Sequence, residues 1–281
     1  MEKINERNVI VLVGAVQFIN ILDFMMVMPL GPDFAEALDM PASMIGIVGG
    51  AYTAAAALSG FIGSFFLDRF DRKKVLLVAL WGLVVATIAG GLSIDFYTLV
   101  ASRVIAGFFG GPATSTAFAI VADIVPTERR GRAMGAVMGA FSVASVFGVP
   151  LGLELAHWGS WQTPFFALGS VGAFTAVLIY KLMPSLRLHL TEGVPLKRLP
   201  LLKLLSRKKV LLSYLAIGTT MFAGFLIIPN IAAYVQLNLG YPRDRMGLLY
   251  MAGGVVSFFA TRYSGRLTDR FGSFAVALMG T

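Results

Sequence analysis

The feature that most constrains this chain is a series of apolar segments about twenty residues long, separated by short polar connections. A helix that rises 1.5 Å per residue needs about twenty residues to cross a hydrocarbon layer roughly 30 Å thick. Such a layer offers no water to backbone amides, so a crossing chain must form helices or a closed barrel. Barrel strands would give alternating segments of about ten residues, and these segments are continuous. The sequence therefore predicts an all-α, polytopic membrane protein.

Eight complete membrane spans and part of a ninth are predicted from these segments. Only 14% of the residues are charged, against about 25% in an average soluble domain, which excludes a soluble class. The ninth span would begin near Ser273 and stops after nine residues, which is too short to cross a bilayer. The predicted complete spans are residues 9–31, 44–66, 75–94, 97–121, 133–155, 163–183, 210–231 and 246–265.

The distribution of basic residues predicts the orientation. If the N-terminus is cytoplasmic, 20 of the 23 lysines and arginines fall in cytoplasmic segments, as the positive-inside rule requires. We therefore expect an integral protein of the bacterial inner membrane with its N-terminus inside. The net charge of +8 is then a property of these loops, so no nucleic-acid partner is expected. The absence of cysteine excludes disulfides and thiolate metal sites.

A basic linker at residues 184–209 divides the chain into two blocks. The first block, residues 1–183, holds six predicted spans, and the second, residues 210–281, holds spans 7 and 8 and the start of span 9. The same tripeptide, Asp-Arg-Phe, follows the second span of each block, at residues 68–70 and 269–271. A repeat of this spacing with the same topology is typical of duplicated transporter halves.

These repeated loops resemble the signature of the major facilitator superfamily, Gly-x-Leu-(small)-Asp-Arg-x-Gly. The second copy, from Gly265 to Gly272, follows that pattern. The first copy has Ser64 and Asp71 where the family usually has glycine. We expect the turn to survive at Asp71, because aspartate tolerates a left-handed backbone better than most residues.

Further motifs resemble that family, and some of them resemble its drug/proton antiporter and sugar-efflux branch. Span 4 carries Leu99-x-x-x-Arg103 followed by Ala106-Gly107, and span 1 carries Leu22-Asp23. Gly148, Pro150 and Gly152 form a relaxed version of the antiporter helix-packing motif. The resemblance implies a major facilitator-type helical bundle that exports a drug-like or sugar-like molecule against protons and needs no cofactor. It also implies a conformational latch at the cytoplasmic helix ends, formed by Asp68, Arg69, Arg72, Asp269 and Arg270.

Two ionisable side chains lie within predicted spans, where a charge costs about 2.5–3.5 kcal/mol or more and so indicates function. Asp23 and Arg103 fall at similar depth in spans 1 and 4 and can pair. Burial disfavours the charged carboxylate and a neighbouring arginine favours it, so a change in this pairing can load and unload a proton. Alternatively, the pair simply holds two helices together. Gln17, Asn20 and Asn230 either face the substrate cavity or form ordinary interhelical hydrogen bonds.

Several alternatives remain open from the sequence. The antiporter motif is interrupted by Val149, which leaves uptake by proton symport as a second transport hypothesis. A truncated, non-transporting membrane scaffold is the third. An enzyme is not expected, because the spans carry no histidine metal set, Gly-x-Ser-x-Gly motif or paired aspartates. In the resembled fold span 5 packs on span 8 and span 2 on a later span. We therefore expect either a fragment of a twelve-span carrier or a naturally short protein that forms a homodimer in the lipid membrane.

Overall fold

The protein was analysed as a computed structural model that describes residues 5–187 and 206–271. Within these ranges every regular element is helical, which confirms the all-α prediction. The helices are α1 (Glu6–Val27), α2 (Gly31–Ala37), α3 (Ile45–Gly63), α4 (Arg72–Gly91), α5 (Phe96–Ile124), α6 (Thr127–Met138), α7 (Ala140–Val143), α8 (Val149–Trp158), α9 (Thr163–Leu182), α10 (Lys208–Leu237) and α11 (Met246–Phe271).

Six helical stretches of the described chain are long and apolar enough to cross a membrane. They are α1, α3 with the 3₁₀ turn before it, α4, α5, the stretch Thr127–Trp158 that contains α6 to α8, and α9. Helices α10 and α11 coincide with predicted spans 7 and 8, but their apolar parts are shorter, Val210–Gly224 and Met246–Ala260. The count of eight complete spans therefore stays a prediction. The predicted ninth span and residues 188–205 of the predicted linker lie outside the described residues.

Proline and aspartate residues account for several helix ends. Span 1 was predicted to reach residue 31, and that is wrong, because α1 ends at Val27 and a turn follows. Pro29 causes the difference, since its ring clashes with the preceding helical turn and it has no N–H to donate. Asp95 begins α5 with a capping box, in which its side chain accepts from the Thr98 backbone N–H at 2.7 Å.

The stretch Thr127–Trp158 is not a regular α-helix. A π-helical turn, Ala144–Gly148, separates α7 from α8. Pro150 lies in the first turn of α8 and cannot donate a backbone hydrogen bond. A π turn shifts the hydrogen-bond register and so absorbs such a break without ending the helix. The break lies beside α1, because a Cβ built at Gly148 would meet the Leu22 side chain.

Glycines allow two close helix contacts. A Cβ on Gly107 or Gly111 of α5 would overlap the backbone oxygen of Tyr52 or of Ala56 on α3, so these two helices could not approach each other with larger residues. Helix α11 contacts α8 and the π turn, with Gly247 near Pro150. The contact expected between spans 5 and 8 is therefore confirmed.

Candidate functional site

The centre of the candidate site is a buried ion pair between α1 and α5. Arg103 donates from Nη1 to Oδ2 of Asp23 at 3.0 Å, and both side chains are fully shielded from solvent. The structure thus brings together the two ionisable side chains that the sequence placed at similar depth. Removing one partner of such a pair leaves an uncompensated buried charge, which is strongly destabilising.

Helices α4 and α9 complete the surroundings of this pair. The Thr87 hydroxyl lies 2.7 Å from Oδ1 of Asp23. Nη2 of Arg103 donates to the Ala86 carbonyl at 3.4 Å, and the guanidinium lies 5.1 Å from the centre of the Phe165 ring. A Cβ on Gly90 would lie 2.7 Å from Nη2 of Arg103, so this glycine leaves room for the guanidinium. The arginine is therefore held by an anion, a carbonyl and an aromatic face.

A second polar cluster lies along α1, the helix that carries Asp23. The Asn20 amide donates to Thr114 Oγ1 at 2.7 Å, and its Oδ1 accepts from the Tyr52 hydroxyl at 2.6 Å. Thr114 in turn donates to Gln17 Oε1 at 3.2 Å. Gln17, Asn20 and Tyr52 are all buried, so these groups join α1, α3 and α5 through satisfied hydrogen bonds. Asn230 lies in α10, and its side chain is outside the described part of the chain.

The predicted helix-packing motif faces two ways. A Cβ at Gly148 would lie 2.8 Å from the Leu22 side chain of α1, so a larger residue there would force Leu22 to shift, whereas a Cβ at Gly152 would make an ordinary contact with Met26 at 3.4 Å. Pro150 instead lies 3.7 Å from where a Cβ on Gly247 of α11 would be. The motif therefore lies between α1, which carries Asp23, and α11.

The structure describes the side chains of three of the five predicted latch residues, Asp68, Arg69 and Arg72. Arg72 donates to Asp68 at 2.6 Å and to Asp123 of α5 at 3.1 Å, while Arg69 is exposed. Asp123 was missed by the sequence reasoning. Asp269 and Arg270 lie in the last turn of α11, and their side chains are outside the described part. The carboxylate that caps the N-terminus of α4 belongs to Asp71.

Asp71 does not adopt the left-handed backbone that we expected from the family's glycine. Its φ is −58°, and Asp39, with φ 48°, is the described non-glycine residue with positive φ. Asp71 caps α4 by accepting from the Lys73 N–H. It also accepts from the Ser185 hydroxyl, the Leu186 N–H and the Arg187 guanidinium. Asp71 therefore anchors the chain after α9 to the start of α4.

The Asp71 anchor gives a testable result. Burial by itself raises the pKa of Asp71, but its four hydrogen bonds outweigh burial and hold the pKa below the usual 3.8. The contact is therefore fully present at neutral pH and is lost only as the pH falls through the folded-state pKa. At neutral pH we expect Asp71→Gly to speed trypsin cleavage after Arg187 by about 10- to 100-fold, because it removes a charge-assisted bond. Cleavage after the exposed Arg207 is the internal control, and an unchanged ratio of the two rates would contradict the anchor.

An ion pair also joins the two loop regions predicted to lie outside. Arg243, in the 3₁₀ turn before α11, contacts Asp33 of α2, whose side chain is 11% exposed. Burial raises the pKa of Asp33 above its usual value, even though the neighbouring Arg243 opposes this effect. The pair links the loop after α1 to the loop before α11. The sequence did not predict this ion pair, because the number of charges on each side of the membrane does not reveal which of them are in contact.

If the transport expected from the resemblance requires this pair to open, a covalent link between residues 33 and 243 should abolish flux. The chain has no cysteine, so Asp33→Cys with Arg243→Cys provides a clean pair for a short bifunctional maleimide. We expect the cross-linked double variant to carry no flux above empty liposomes. Each single variant, treated with the same reagent, should keep its flux. Full flux in the cross-linked protein would show that these loops need not separate.

A groove of about 630 Å³ lies between α4, α5 and α9. Its lining includes the exposed side chains of Val78, Trp81 and Tyr180 and is almost entirely apolar. None of Gln17, Asn20, Asp23 and Arg103 lines it. The groove is therefore separate from the polar site, whose side chains are buried in this structure.

Residues 13–281 match the family described as the Major Facilitator Superfamily. The chain belongs to the major facilitator superfamily. One curated relative is the uncharacterized MFS-type transporter YceJ of Bacillus subtilis, which is 25% identical over 269 residues, covering 95% of this chain and 68% of YceJ.

Solved structures agree with this fold. A bacterial homolog of the human lysosomal transporter Spinster, in an inward-facing and unoccupied conformation, has a TM-score of 0.76 at 19% identity and is matched over 96% of this chain and 64% of its own. A D-xylose–proton symporter has a TM-score of 0.68 at 17% identity, over 95% of this chain and 69% of its own. The chain thus spans about two thirds of the length of these proteins.

For this major facilitator protein, the sequence pointed to Asp23, Arg103, Gln17 and Asn20, but not to three hydroxyl side chains that contact them. Tyr52, Thr87 and Thr114 each bond to a predicted residue. A hydroxyl inside an apolar span is a weak signal, because serine and threonine commonly bond to a carbonyl of their own helix. Their roles depend on which faces of α3, α4 and α5 are turned towards α1, and a single sequence does not reveal how these helices are rotated.

Proposed function

We propose that this chain performs proton-coupled alternating-access transport and exports a small organic molecule, drug-like or sugar-like, across the bacterial inner membrane. Membership in the major facilitator superfamily supports transport in general. The observation that carries the proton coupling is the fully buried Asp23–Arg103 pair. A buried charge pair is a weak stabiliser at best, so its presence between α1 and α5 favours a functional reason.

The coupling follows from competition for one carboxylate. When Asp23 is charged, its attraction to Arg103 holds α1 to α5. A proton on Asp23 cancels that attraction, and the two helices become free to separate. A positively charged substrate that approaches the carboxylate then favours release of the proton. Exchange of proton for substrate at one site gives antiport without a separate energy source.

Alternating access needs contacts that hold one side shut while the other opens. The Asp33–Arg243 pair is suited to the outer side, since it joins regions on both sides of the predicted linker. The Arg72 contacts with Asp68 and Asp123 are suited to the inner side. With Asp269 and Arg270 they form the proposed latch. In this arrangement the polar cluster of Gln17, Asn20 and Tyr52 contributes neutral contacts to substrate once α1 moves.

The direction of transport separates the two transport hypotheses. One of the fold neighbours is a D-xylose–proton symporter, so uptake by symport is the second candidate. The test uses purified protein in proteoliposomes, with ethidium and radiolabelled xylose as probes. Flux towards the acidic compartment supports antiport, and flux away from it supports symport. Folded protein that moves neither probe under either gradient would support the scaffold alternative.

A further inference from the structure

We propose that Thr87 selects Oδ1 of Asp23 as the oxygen that takes up the proton and positions this carboxyl in both protonation states. The inference rests on the proposed function, because it gives the proposed proton carrier a second partner besides Arg103. Thr87 is a positioning residue in this role: its own hydroxyl proton is shared in hydrogen bonds and is never released.

The two oxygens of Asp23 have different surroundings. Oδ2 accepts from the Arg103 guanidinium at 3.0 Å. Oδ1 lies 2.7 Å from the Thr87 hydroxyl. Arginine has donors and no acceptor, so it cannot receive a hydrogen bond from a protonated carboxyl. A proton on Oδ2 would therefore point at a positive donor, whereas a proton on Oδ1 points at a hydroxyl oxygen that can accept it.

The Thr87 hydroxyl fits both states because it also reaches a backbone oxygen. Its Oγ1 lies 2.8 Å from the Leu83 carbonyl, one turn earlier in α4. A hydroxyl has one proton to donate and two lone pairs to accept with. With Asp23 charged, that proton points to Oδ1. With Asp23 neutral, the carboxyl O–H donates to Oγ1, and the hydroxyl proton turns to the Leu83 carbonyl. No heavy atom has to move.

The other described groups around Asp23 cannot both donate a hydrogen bond to its carboxyl and accept one from it. Arg103 from α5 is a pure donor, and α9 contributes the Phe165 ring, which faces the guanidinium. Tyr52 from α3 also carries a hydroxyl, but that hydroxyl already donates to Asn20. Thr87 is thus the described neighbour whose hydrogen bond can reverse direction.

Comparison with other helical threonines shows what is unusual about Thr87. Thr175, Thr219 and Thr220 each donate to the carbonyl four residues earlier, at 2.8, 2.8 and 2.9 Å. This is the common way for a helix to satisfy a threonine hydroxyl. Thr87 has the same option and additionally faces a carboxylate from another helix. Thr175 is also buried, so Thr175→Val is a matched control for Thr87→Val.

The test follows the Asp23 carboxyl directly and does not require transport. Infrared difference spectra of the full chain in nanodiscs, labelled at aspartate and compared with Asp23→Asn, give its titration and the stretching frequency of its protonated C=O. A charge-assisted hydrogen bond is about twice as strong as a neutral one. Thr87→Val therefore removes more stabilisation from the charged Asp23 carboxylate than from its neutral form. We expect its titration midpoint to move up by about one pH unit. Its C=O frequency should also rise, because the carboxyl O–H has lost its acceptor.

The controls make the result decisive. Thr87→Ser restores a hydroxyl and should return both the midpoint and the frequency towards wild type, and Thr175→Val should change neither. An Asp23 signal that is identical in wild type and Thr87→Val, or a carboxyl that never titrates, would overturn the inference. A shifted titration in a protein whose wild type moves substrate without protons would leave Thr87 in its assigned role and reject the proposed function instead.

Discussion

Replacing Asp23 by asparagine is expected to abolish flux driven by a pH gradient and, because it leaves Arg103 buried without its anion, to lower the free energy of unfolding. Asparagine has nearly the same shape as aspartate and can still bond to Thr87 and Arg103, but it cannot bind or release a proton. Both partners of the ion pair are fully buried, so exchange at this site depends on the Asp23 carboxyl itself. The variant should therefore bind substrate and fail to move it against its gradient.

The measurement compares initial rates in proteoliposomes with and without a pH gradient, at matched protein content. Asp39→Asn is the matched control, because Asp39 is an aspartate of the same chain that lies outside the spans and asparagine tolerates its positive φ of 48°. The control should keep wild-type flux. If Asp23→Asn accumulates substrate as well as this control, Asp23 is only a structural lock between α1 and α5.

Removing the arginine should cost stability, and a second substitution should restore part of it. Arg103→Leu leaves the buried carboxylate of Asp23 without its cation, and breaking a buried pair in this way costs about 3–5 kcal/mol. The double variant Arg103→Leu/Asp23→Asn buries no charge and should recover most of that loss. Such recovery is the sign of direct coupling between two side chains in a double-mutant cycle.

The stability comparison uses thermal or denaturant unfolding in detergent with all four members of the cycle. Arg129→Leu is the control. Its guanidinium also pairs with a carboxylate, at 3.2 Å from Glu6, but its side chain is 63% exposed. An exposed pair contributes about 0–1 kcal/mol, so this variant should be nearly neutral. If Arg103→Leu and Arg129→Leu lose the same stability, burial of the Asp23–Arg103 pair has no energetic consequence.

The sequence predicted the helices and the charged pair because both depend on strong, local physical rules. Apolar segments of about twenty residues set the helix positions to within about six residues, and Pro29 explains why α1 ends before residue 31. A charge inside such a segment is costly enough to stand out. Asp23 and Arg103 could therefore be found without knowing how α1 and α5 pack.

What the sequence could not predict depends on rotation and contact between helices. Thr87 and Tyr52 belong to the site only because their faces of α4 and α3 meet α1. The anchor at Asp71 was missed for a different reason. A single position that departs from the family's glycine was interpreted as a tolerated turn residue, whereas its partners, Ser185 to Arg187, lie more than a hundred residues further along the chain.

The central claim is that Asp23 exchanges a proton for substrate, and the most direct measurement therefore follows protons. Proteoliposomes that contain a trapped pH-sensitive dye would be given a substrate gradient and no initial pH gradient. We predict that substrate flux through the wild-type protein moves protons in the opposite direction, and that Asp23→Asn moves none. Substrate flux through the wild-type protein with no accompanying change in internal pH would contradict the account.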